Sequence, residues 1–388
     1  MSVFEQLERG RTWDENEALI LAQVDRLCAE IIAPNAARID ETGEFPWDNI
    51  RAINELGLNT IFIPEQFGGT GMSFRLYLAV MKRISEACAA TGIIYGTNFH
   101  AMKPLVEFGT DEQRERLLPR IAEGGLASLA ITEEAAGSDA IGMKTRFTVD
   151  GDDIVIDGAK IFITSGDVAD RILLFGKFAD IEDSKKAISV LVLEKGAPGF
   201  EVVRLENKMG HRGSSTAALR LDGVRVPKAN LIGSPGDGLR ILLASLNRSR
   251  PSIAAHALGI AMAAFKDMTA YMNERKQSGR RIVDFQGNQF MLADLATDLA
   301  MADCWLDYLA ALIDGGAKDF GVEASMAKMR ASDLAMRAAT DAVQMHGGYG
   351  YCRDFRVERL MRDAKITQIW EGTNQVHRQL IGRSFATK

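Results

Sequence analysis

The chain has 388 residues, which is enough for two or three domains or one large multilayered unit. Its 46 basic and 52 acidic residues give a net charge of -6 with no basic run, so we expect no nucleic-acid and no membrane-surface role. Four scattered cysteines and five scattered histidines form no disulfide, zinc or HExxH spacing, which predicts reduced thiols and no metal. The N-terminus lacks a secretion pattern, and we expect a cytoplasmic protein, or a mitochondrial matrix protein if a transit peptide was removed.

The first block, residues 1–125, is predicted to be a helical domain. Asp14 followed by Glu17 resembles a capping box that opens a helix through Ile32, and Pro34 follows the expected end of that helix. Further helices are predicted over residues 47–56, 73–90 and 110–123.

The second block, residues 126–234, is predicted to be a β domain. Its segment 146–164 alternates between apolar and polar residues, and the pairs Asp150-Gly151 and Asp157-Gly158 are typical of hairpin turns. The predicted strands follow one another too closely for crossover helices. A doubly wound parallel sheet is therefore excluded.

The third block, residues 235–388, returns to a helical period and is predicted to form an antiparallel bundle. We expect Pro251 to kink or restart its first helix. The predicted helices cover residues 239–276, 286–313, 321–345 and 354–366, with a last helix through 380. The whole chain is thus expected to be an α+β multidomain protein.

Glu371 lies in the segment QIWEGTNQ, on a short loop between two predicted helices. Apolar surface from Trp370 removes water from the carboxylate, which makes it a better proton acceptor. Gly372 lets the backbone approach a ligand, while the next helix start, capped by Thr373 or Asn374, favours negative charge. On this segment alone, Glu371 is either a general base or an ordinary solvated loop residue.

Three further groups of residues suit a planar or anionic ligand. The segment LAITEEAAGSD, residues 129–139, offers small-residue amides with the hydroxyls of Thr132 and Ser138. The segment AKIFITSG is expected to place Phe162 and Thr164 on one face of a strand. Dispersed donors for an anion are Arg250, Arg275, Gln286 and QMHGGYG at residues 344–350. Each group alone is equally compatible with an ordinary loop, strand or helix end.

Taken in order, these segments resemble the acyl-CoA dehydrogenase family over about residues 10–385. The matching segments are TEEAAGSD, KIFITSG, LNRSRP, ERK, QMHGGYGY and MRDAKITQIWEGTNQ. The resemblance implies a helical N-terminal domain, a β domain and a C-terminal four-helix bundle that binds FAD, in a homotetramer. It also favours Glu371 as a catalytic base.

The resemblance implies site residues position by position. Contacts to FAD would come from Leu129, Ala130, Ile131, Thr132, Ser138, Phe162, Ile163 and Thr164, and from Thr373 and Gln375 in the subunit of the base. The FAD of a neighbouring subunit would be contacted by Arg275, Gln286, Gln344, Gly347 and Gly348. The acyl-CoA would be contacted by Ser138, Asn247, Arg250, Trp370, Gly372, Tyr95 and Asn98.

The implied reaction is the α,β-dehydrogenation of an acyl-CoA thioester to a trans-2-enoyl-CoA. Glu371 would remove the α-proton while the β-hydride passes to flavin N5, and an electron-transferring flavoprotein would then accept the electrons. The thioester carbonyl must be polarised, and the resemblance assigns this to a flavin ribityl hydroxyl and to the N–H of Glu371. Ser249 occupies the position where some family members carry the base, so Glu371 has no competitor.

Three alternatives remain open from the sequence. An acyl-CoA oxidase would pass the electrons to oxygen, an enoyl-CoA reductase would run in the opposite direction, and a helical scaffold protein would bind no FAD. Bulky Tyr95 and Trp370 predict a short, branched or ring-bearing acyl group.

Overall fold

A computed structural model describes residues 3–386. Helices occupy both ends of this range and a β domain lies between them, which confirms the predicted α+β architecture. Within the described range, no helix combines the length and the apolar character needed to cross a membrane.

The N-terminal part contains the helices α1 (Val3–Gly10), α2 (Glu15–Leu27), α3 (Ala33–Thr42), α4 (Trp47–Glu55), α5 (Phe74–Ala87), α6 (Ala89–Phe108), α7 (Asp111–Leu117) and α8 (Pro119–Ala122). The predicted capping box at α2 is confirmed, because Asp14 Oδ1 accepts a hydrogen bond of 2.8 Å from the N–H of Glu17. The expected helix end before Pro34 is wrong. The chain continues through a π-helical turn, Cys28–Ile32, into α3, where Pro34 occupies the first turn and its missing N–H costs nothing.

The predicted helix over residues 73–90 is in fact two helices. The backbone is extended at Cys88 (φ -154°, ψ 109°), which ends α5 and starts α6. Helix α6 was missed as a separate element because it is buried on nearly every side and shows no amphipathic period. The predicted helix over 110–123 is likewise divided into α7 and α8, and Pro119 begins the second piece.

The β domain contains the strands β1 (Ala127–Ala130), β2 (Arg146–Asp150), β3 (Asp153–Thr164), β4 (Arg171–Phe178), β5 (Ile188–Glu194), β6 (Phe200–Leu205) and β7 (Thr216–Pro227). They form one sheet in the order β1-β4-β2-β3-β7-β6, with β5 paired to β4. Asp150-Gly151 joins β2 to β3 as predicted. Asp157-Gly158 is not a turn, because β3 continues through it with a bulge, and a Cβ at Gly158 would lie 2.6 Å from Thr145 Oγ1.

The C-terminal part contains α9 (Gly238–Glu274), α10 (Gln286–Asp314), α11 (Gly321–His346), α12 (Val357–Thr367) and α13 (Asn374–Ser384), with a short hairpin of β8 (Lys276–Gln277) and β9 (Arg280–Arg281) after α9. Of the two outcomes expected at Pro251, the restart is wrong, since α9 runs through it without a break, and the kink stays a prediction. Pro251 is buried where α9 packs against α5, α6 and α11, and this packing outweighs the roughly 3 kcal/mol that an internal proline costs.

Two hydrophobic cores meet at the sheet. On β4, Leu173 and Phe175 face the core that is shared by the N-terminal and C-terminal helices, while Ile172 and Leu174 face a second core within the β domain. Helix α9 lies at the centre of the larger core. The three parts of the chain are therefore joined along α9 and one face of the sheet.

Candidate active site

Glu371 lies on the loop that joins α12 to α13. Of the two predicted caps of α13, Thr373 is the one observed, because its hydroxyl accepts a hydrogen bond of 3.3 Å from the N–H of Val376. Asn374 is instead buried, and its amide donates hydrogen bonds to Ser332 Oγ and Asp333 Oδ1 on α11. The start of α13 is thus fastened to α11, directly after Glu371.

The Glu371 side chain is half-buried, and its Oε2 accepts a hydrogen bond of 2.5 Å from the Ser249 hydroxyl on α9. Its backbone φ is +52°, which costs a non-glycine residue about 1–2 kcal/mol. Its N–H has no hydrogen-bond partner within residues 3–386. Such strain persists only where surrounding contacts enforce it, and it is concentrated at functional sites.

Lys328 on α11 holds the residue after Glu371. Its ammonium donates hydrogen bonds of 2.7 Å to the carbonyl of Gly372 and 3.0 Å to Asn374 Oδ1. Burial lowers the pKa of Lys328 to about 7, although the Glu371 carboxylate acts in the opposite direction. Sequence reasoning missed this residue. The sequence feature that could have identified it is a lysine on the alanine-rich buried face of α11, because a buried charge needs a partner.

Trp370 packs against two buried histidines on the other side of Glu371. The indole ring lies 5.1 Å from the His211 ring and 5.8 Å from the His256 ring, centroid to centroid. Neither histidine was a predicted site residue. The sequence carries no signal for them, since they are 45 residues apart and meet only through packing.

Arg250 and Asn247 lie on α9 beside Ser249. Arg250 Nη1 donates a hydrogen bond of 2.8 Å to Asn247 Oδ1, and its Nε has no partner within the described residues. Burial lowers the pKa of Arg250, while the nearby Glu371 carboxylate raises it. Three of the predicted site residues, Asn247, Arg250 and Glu371, are therefore brought together around one turn of α9.

The two predicted acyl-site residues on α6 have different surroundings. The Tyr95 ring stacks on Tyr77 at 5.5 Å, and its buried hydroxyl has no partner among residues 3–386. Asn98 donates a hydrogen bond to Asn59 and accepts one of 2.6 Å from the N–H of Ala127. Asn98 thus ties α6 to β1, and its contact with the acyl group stays a prediction.

The predicted flavin segments of the β domain lie side by side. The Ile161 N–H donates a hydrogen bond of 2.9 Å to the Thr132 carbonyl, and Ser128 Oγ donates one of 2.6 Å to the Thr164 carbonyl. A bulge interrupts β3 between Lys160 and Ile163, and buried Ile163 separates exposed Phe162 from half-buried Thr164, so their common face stays a prediction. Phe162, with φ +58°, is 60% exposed.

The other residues that were predicted to contact FAD differ in how deeply they are buried. Leu129, Ile131 and Thr132 are half-buried, Ala130 and Ile163 are buried, and Ser138 is exposed on the loop after β1. On the Glu371 side, Thr373 is half-buried and Gln375 is exposed.

A buried ion pair supports the loop after β1. Lys160 Nζ donates hydrogen bonds of 2.8 Å to Glu133 Oε1 and 2.9 Å to the Ile131 carbonyl. The same Glu133 oxygen accepts hydrogen bonds from the N–H and the hydroxyl of Thr145. Burial lowers the pKa of Lys160 to about 8, and Glu133 opposes this change. The pair was not predicted as part of the site.

A cavity of about 410 Å³ opens where α9 and α11 end. Four of the five residues predicted to reach a neighbouring FAD line it, namely Arg275, Gln344, Gly347 and Gly348. Gln286 lies at the start of α10 and is not part of its lining. Within the described part of the chain, a Cβ added at Gly347 or Gly348 would meet nothing within 4 Å, so both residues border open space.

The chain matches the family models for the acyl-CoA dehydrogenase N-terminal, middle and C-terminal domains. The matched ranges are residues 14–125, 128–224 and 236–386, which together cover most of the chain.

Proteins of known sequence and structure agree with this match. A Bacillus subtilis acyl-CoA dehydrogenase is 42% identical over 371 residues, covering 95% of this chain and 97% of the relative. An acryloyl-CoA reductase (NADH) from Anaerotignum propionicum is 38% identical, covering 95% and 94%. The structure of butyryl-CoA dehydrogenase from Megasphaera elsdenii is similar with a TM-score of 0.93 at 35% identity, covering 96% and 99%. The chain therefore belongs to the acyl-CoA dehydrogenase family of flavin-dependent oxidoreductases.

Proposed function

We propose that this protein catalyses the FAD-dependent α,β-dehydrogenation of an acyl-CoA to a trans-2-enoyl-CoA, with Glu371 as the base that removes the α-proton. The observation that carries the proposal is the geometry of Glu371. Its carboxylate is anchored by Ser249, its backbone is strained, and its own N–H is free of any partner within residues 3–386. These are the properties of a group held ready to act on a ligand.

Each residue around Glu371 has its own role in the proposed reaction. Ser249 orients the carboxylate, and the free N–H of Glu371 donates to the thioester carbonyl oxygen, which makes the α-proton more acidic. Trp370 excludes water on one side of the base. Arg250, Asn247, Gly372 and the exposed hydroxyl of Ser138 are proposed to contact the remainder of the acyl-CoA.

The residues present fit FAD. The cavity near the end of α9 combines the Arg275 guanidinium with open glycine backbone at Gly347 and Gly348, as expected for binding an anionic group. Exposed Phe162, next to the Leu129–Thr132 segment, offers a flat apolar surface for the ring system. When bound, FAD supplies the acceptor for the β-hydride. We propose that an electron-transferring flavoprotein takes the electrons, and that the site is shared between the subunits of a homotetramer.

The acyl group is proposed to be short, branched or ring-bearing. Between α5 and α6, Tyr77 stacks on Tyr95 at 5.5 Å and on Phe99 at 4.3 Å, so aromatic rings fill this space. A long straight chain would have to displace them. Turnover that peaks with a chain of about 12 carbons or more would contradict this part of the proposal.

The test is an anaerobic titration of the FAD-loaded enzyme with a panel of acyl-CoAs, followed by bleaching of the flavin absorbance near 450 nm. We expect Glu371→Gln to slow bleaching about 100- to 10,000-fold, which is the range for loss of a general base. Glu182→Gln, at an exposed site of the β domain, serves as the control. Bleaching of Glu371→Gln at the wild-type rate would refute the base assignment. Rapid reoxidation in air would identify an oxidase instead.

An enoyl-CoA reductase is the second candidate, because one relative that is 38% identical bears the name acryloyl-CoA reductase (NADH). In that direction Glu371 would deliver the α-proton. Consumption of NADH with an enoyl-CoA, faster than flavin reduction by the matching acyl-CoA, would favour it. The scaffold alternative is set aside because the chain belongs to an oxidoreductase family.

A further inference from the structure

Two buried histidines from different parts of the chain share a hydrogen bond. His211, on the loop between β6 and β7, and His256, on α9, lie with their Nε2 atoms 2.8 Å apart. His256 Nδ1 is 2.8 Å from the hydroxyl of Ser85 on α5. His211 contacts α12 through its backbone N–H, which donates a hydrogen bond of 2.5 Å to Asp363 Oδ1. The helical N-terminal part, the β domain and the C-terminal bundle therefore meet at this pair.

The surroundings of the pair decide its tautomers. Asp363 Oδ1 also lies 3.7 Å from His211 Nδ1, so a proton on Nδ1 is favoured over a lone pair that faces a carboxylate. His211 Nε2 must then accept, His256 Nε2 must donate, and His256 Nδ1 must accept from Ser85. The hydrogen bonds therefore run in one direction, from the Ser85 hydroxyl through His256 to His211, whose Nδ1 has no hydrogen-bond partner among residues 3–386.

The geometry favours the neutral form of the pair. A further proton on His211 would enter Nε2 and place it against the Nε2–H of His256, while a further proton on His256 would enter Nδ1 and displace the hydrogen bond from the Ser85 hydroxyl. Burial lowers the pKa of His256 to about 3 and moves the pKa of His211 in the same direction. The two rings therefore act as a rigid, uncharged unit at neutral pH.

This unit packs against Trp370, the residue directly before Glu371. The indole ring meets the His211 ring edge-on at 5.1 Å and the His256 ring at 5.8 Å. The indole Nε1 is buried without a hydrogen-bond partner among residues 3–386, so ring packing fixes the indole. Because φ of Glu371 is +52°, any shift of Trp370 is transmitted to a backbone already under strain.

We infer that the His211–His256 pair is a positioning device for Glu371, acting through Trp370. The inference rests on the proposed role of Glu371 as the base. The hydrogen bonds of the two histidines go to Ser85, to Asp363 and to each other, not to Glu371, so we treat both as positioning residues. A metal site does not explain them, since no cluster of three or more His, Cys, Asp or Glu side chains suited to a metal occurs within residues 3–386.

The test compares four variants of the FAD-loaded enzyme. His256→Leu removes both hydrogen bonds of the ring, whereas His256→Gln keeps an amide donor close to the position of Nε2. Thr91→Val is the control for a general loss of stability, because it removes a buried hydrogen bond of 2.9 Å from Asn49 that makes no contact with the Glu371 loop. Trp370→Phe assigns the share of the intrinsic fluorescence that comes from Trp370.

Two quantities are measured. The first is the rate of flavin reduction by butyryl-CoA in anaerobic stopped flow, and the second is the acrylamide quenching of the Trp370 fluorescence. For His256→Leu we expect a limiting reduction rate at least 10-fold lower, a dissociation constant within 3-fold of wild type, and at least twofold stronger quenching. We expect His256→Gln to restore the rate to within 3-fold of wild type.

Three results would overturn the inference. They are a wild-type limiting rate in His256→Leu, unchanged quenching in that variant, and an equal loss of rate in Thr91→Val at matched stability. If wild type is reduced by no acyl-CoA, the proposed function fails. The quenching measurement then still decides whether the histidine pair holds Trp370.

Discussion

The hydroxyl of Ser249 donates a hydrogen bond of 2.5 Å to Oε2 of Glu371, across 122 residues of chain. It joins the central helix α9 to the loop between α12 and α13. Together with Lys328 at Gly372 and the histidine pair at Trp370, it fixes three consecutive residues from three sides. The orientation of Glu371 is therefore set by contacts outside its own loop.

Replacing Ser249 with alanine removes this donor. Because this bond orients the carboxylate, we expect the rate of flavin reduction at neutral pH to fall about 3- to 10-fold. Anaerobic stopped-flow reduction by an acyl-CoA measures the effect.

The matched control is Ser252→Ala, which removes another buried hydroxyl from α9. Ser252 is 2.8 Å from the Tyr77 hydroxyl and has no contact with Glu371. An equal loss of rate in both variants would show that the effect does not depend on the bond to Glu371.

Lys328→Met tests the buried ammonium below the loop. In wild type the folded protein releases the Lys328 proton at about pH 7, whereas the unfolded chain keeps it until about pH 10.5. The unfolded state therefore binds more protons between these values, and the free energy of unfolding rises with pH. Relative to Lys328→Met, wild type should gain roughly 2–3 kcal/mol between pH 7 and pH 9. Urea unfolding at both pH values measures the difference.

Lys365→Met provides the comparison for this measurement. Lys365 lies on α12 with its side chain exposed, and it donates only to Gln368 Oε1 at 3.0 Å. The difference in the free energy of unfolding between wild type and Lys365→Met should be the same at pH 7 and pH 9. If the corresponding difference for Lys328→Met is also the same at both pH values, the buried-charge explanation is refuted.

Gly372→Ala tests the backbone after the base. Gly372 has φ +93°, and a Cβ there would lie 3.1 Å from His377 Nε2. We expect a loss of about 1–2 kcal/mol in the free energy of unfolding from the left-handed backbone, together with slower flavin reduction as the loop moves. Gly382→Ala on α13, where a Cβ meets nothing within 4 Å among residues 3–386, should be neutral or slightly stabilising. Thermal unfolding measures the stability of both variants, and stopped flow measures their rates of flavin reduction. Equal stability and equal rates in the two variants would contradict the prediction.

Lys160→Met tests the support of the loop after β1. It leaves the Glu133 carboxylate buried without its ammonium partner, and breaking such a pair costs about 3–5 kcal/mol. We expect the FAD dissociation constant to rise at least 10-fold, as measured by titration of the apoprotein. Lys177→Met, at a half-buried lysine of β4 that donates to Ser184 Oγ at 2.5 Å, should bind FAD as wild type does. An unchanged affinity for FAD in Lys160→Met would show that the ion pair does not contribute to cofactor binding.

Local features were predictable where neighbouring residues decide them. The capping box of Asp14 and Glu17, the hairpin at Asp150-Gly151 and the cap at Thr373 are all present. Predictions failed where burial overrides local preference, as in the all-round buried α6 and the unbroken α9 at Pro251. The Asp157-Gly158 pair failed as a turn because long-range pairing of β3 with β7 holds it in a strand.

By itself, the sequence determined the order of helical and β parts, the family, and the position of Glu371 on an inter-helix loop. These follow from composition, period and short segments that are contiguous in the chain. Only the tertiary structure decided which side chains hold that loop. Ser249, Lys328 and the His211–His256 pair come from α9, α11 and the β6–β7 connection, and no local pattern links them to Glu371. Their contacts exist because packing around α9 brings distant elements within hydrogen-bond distance.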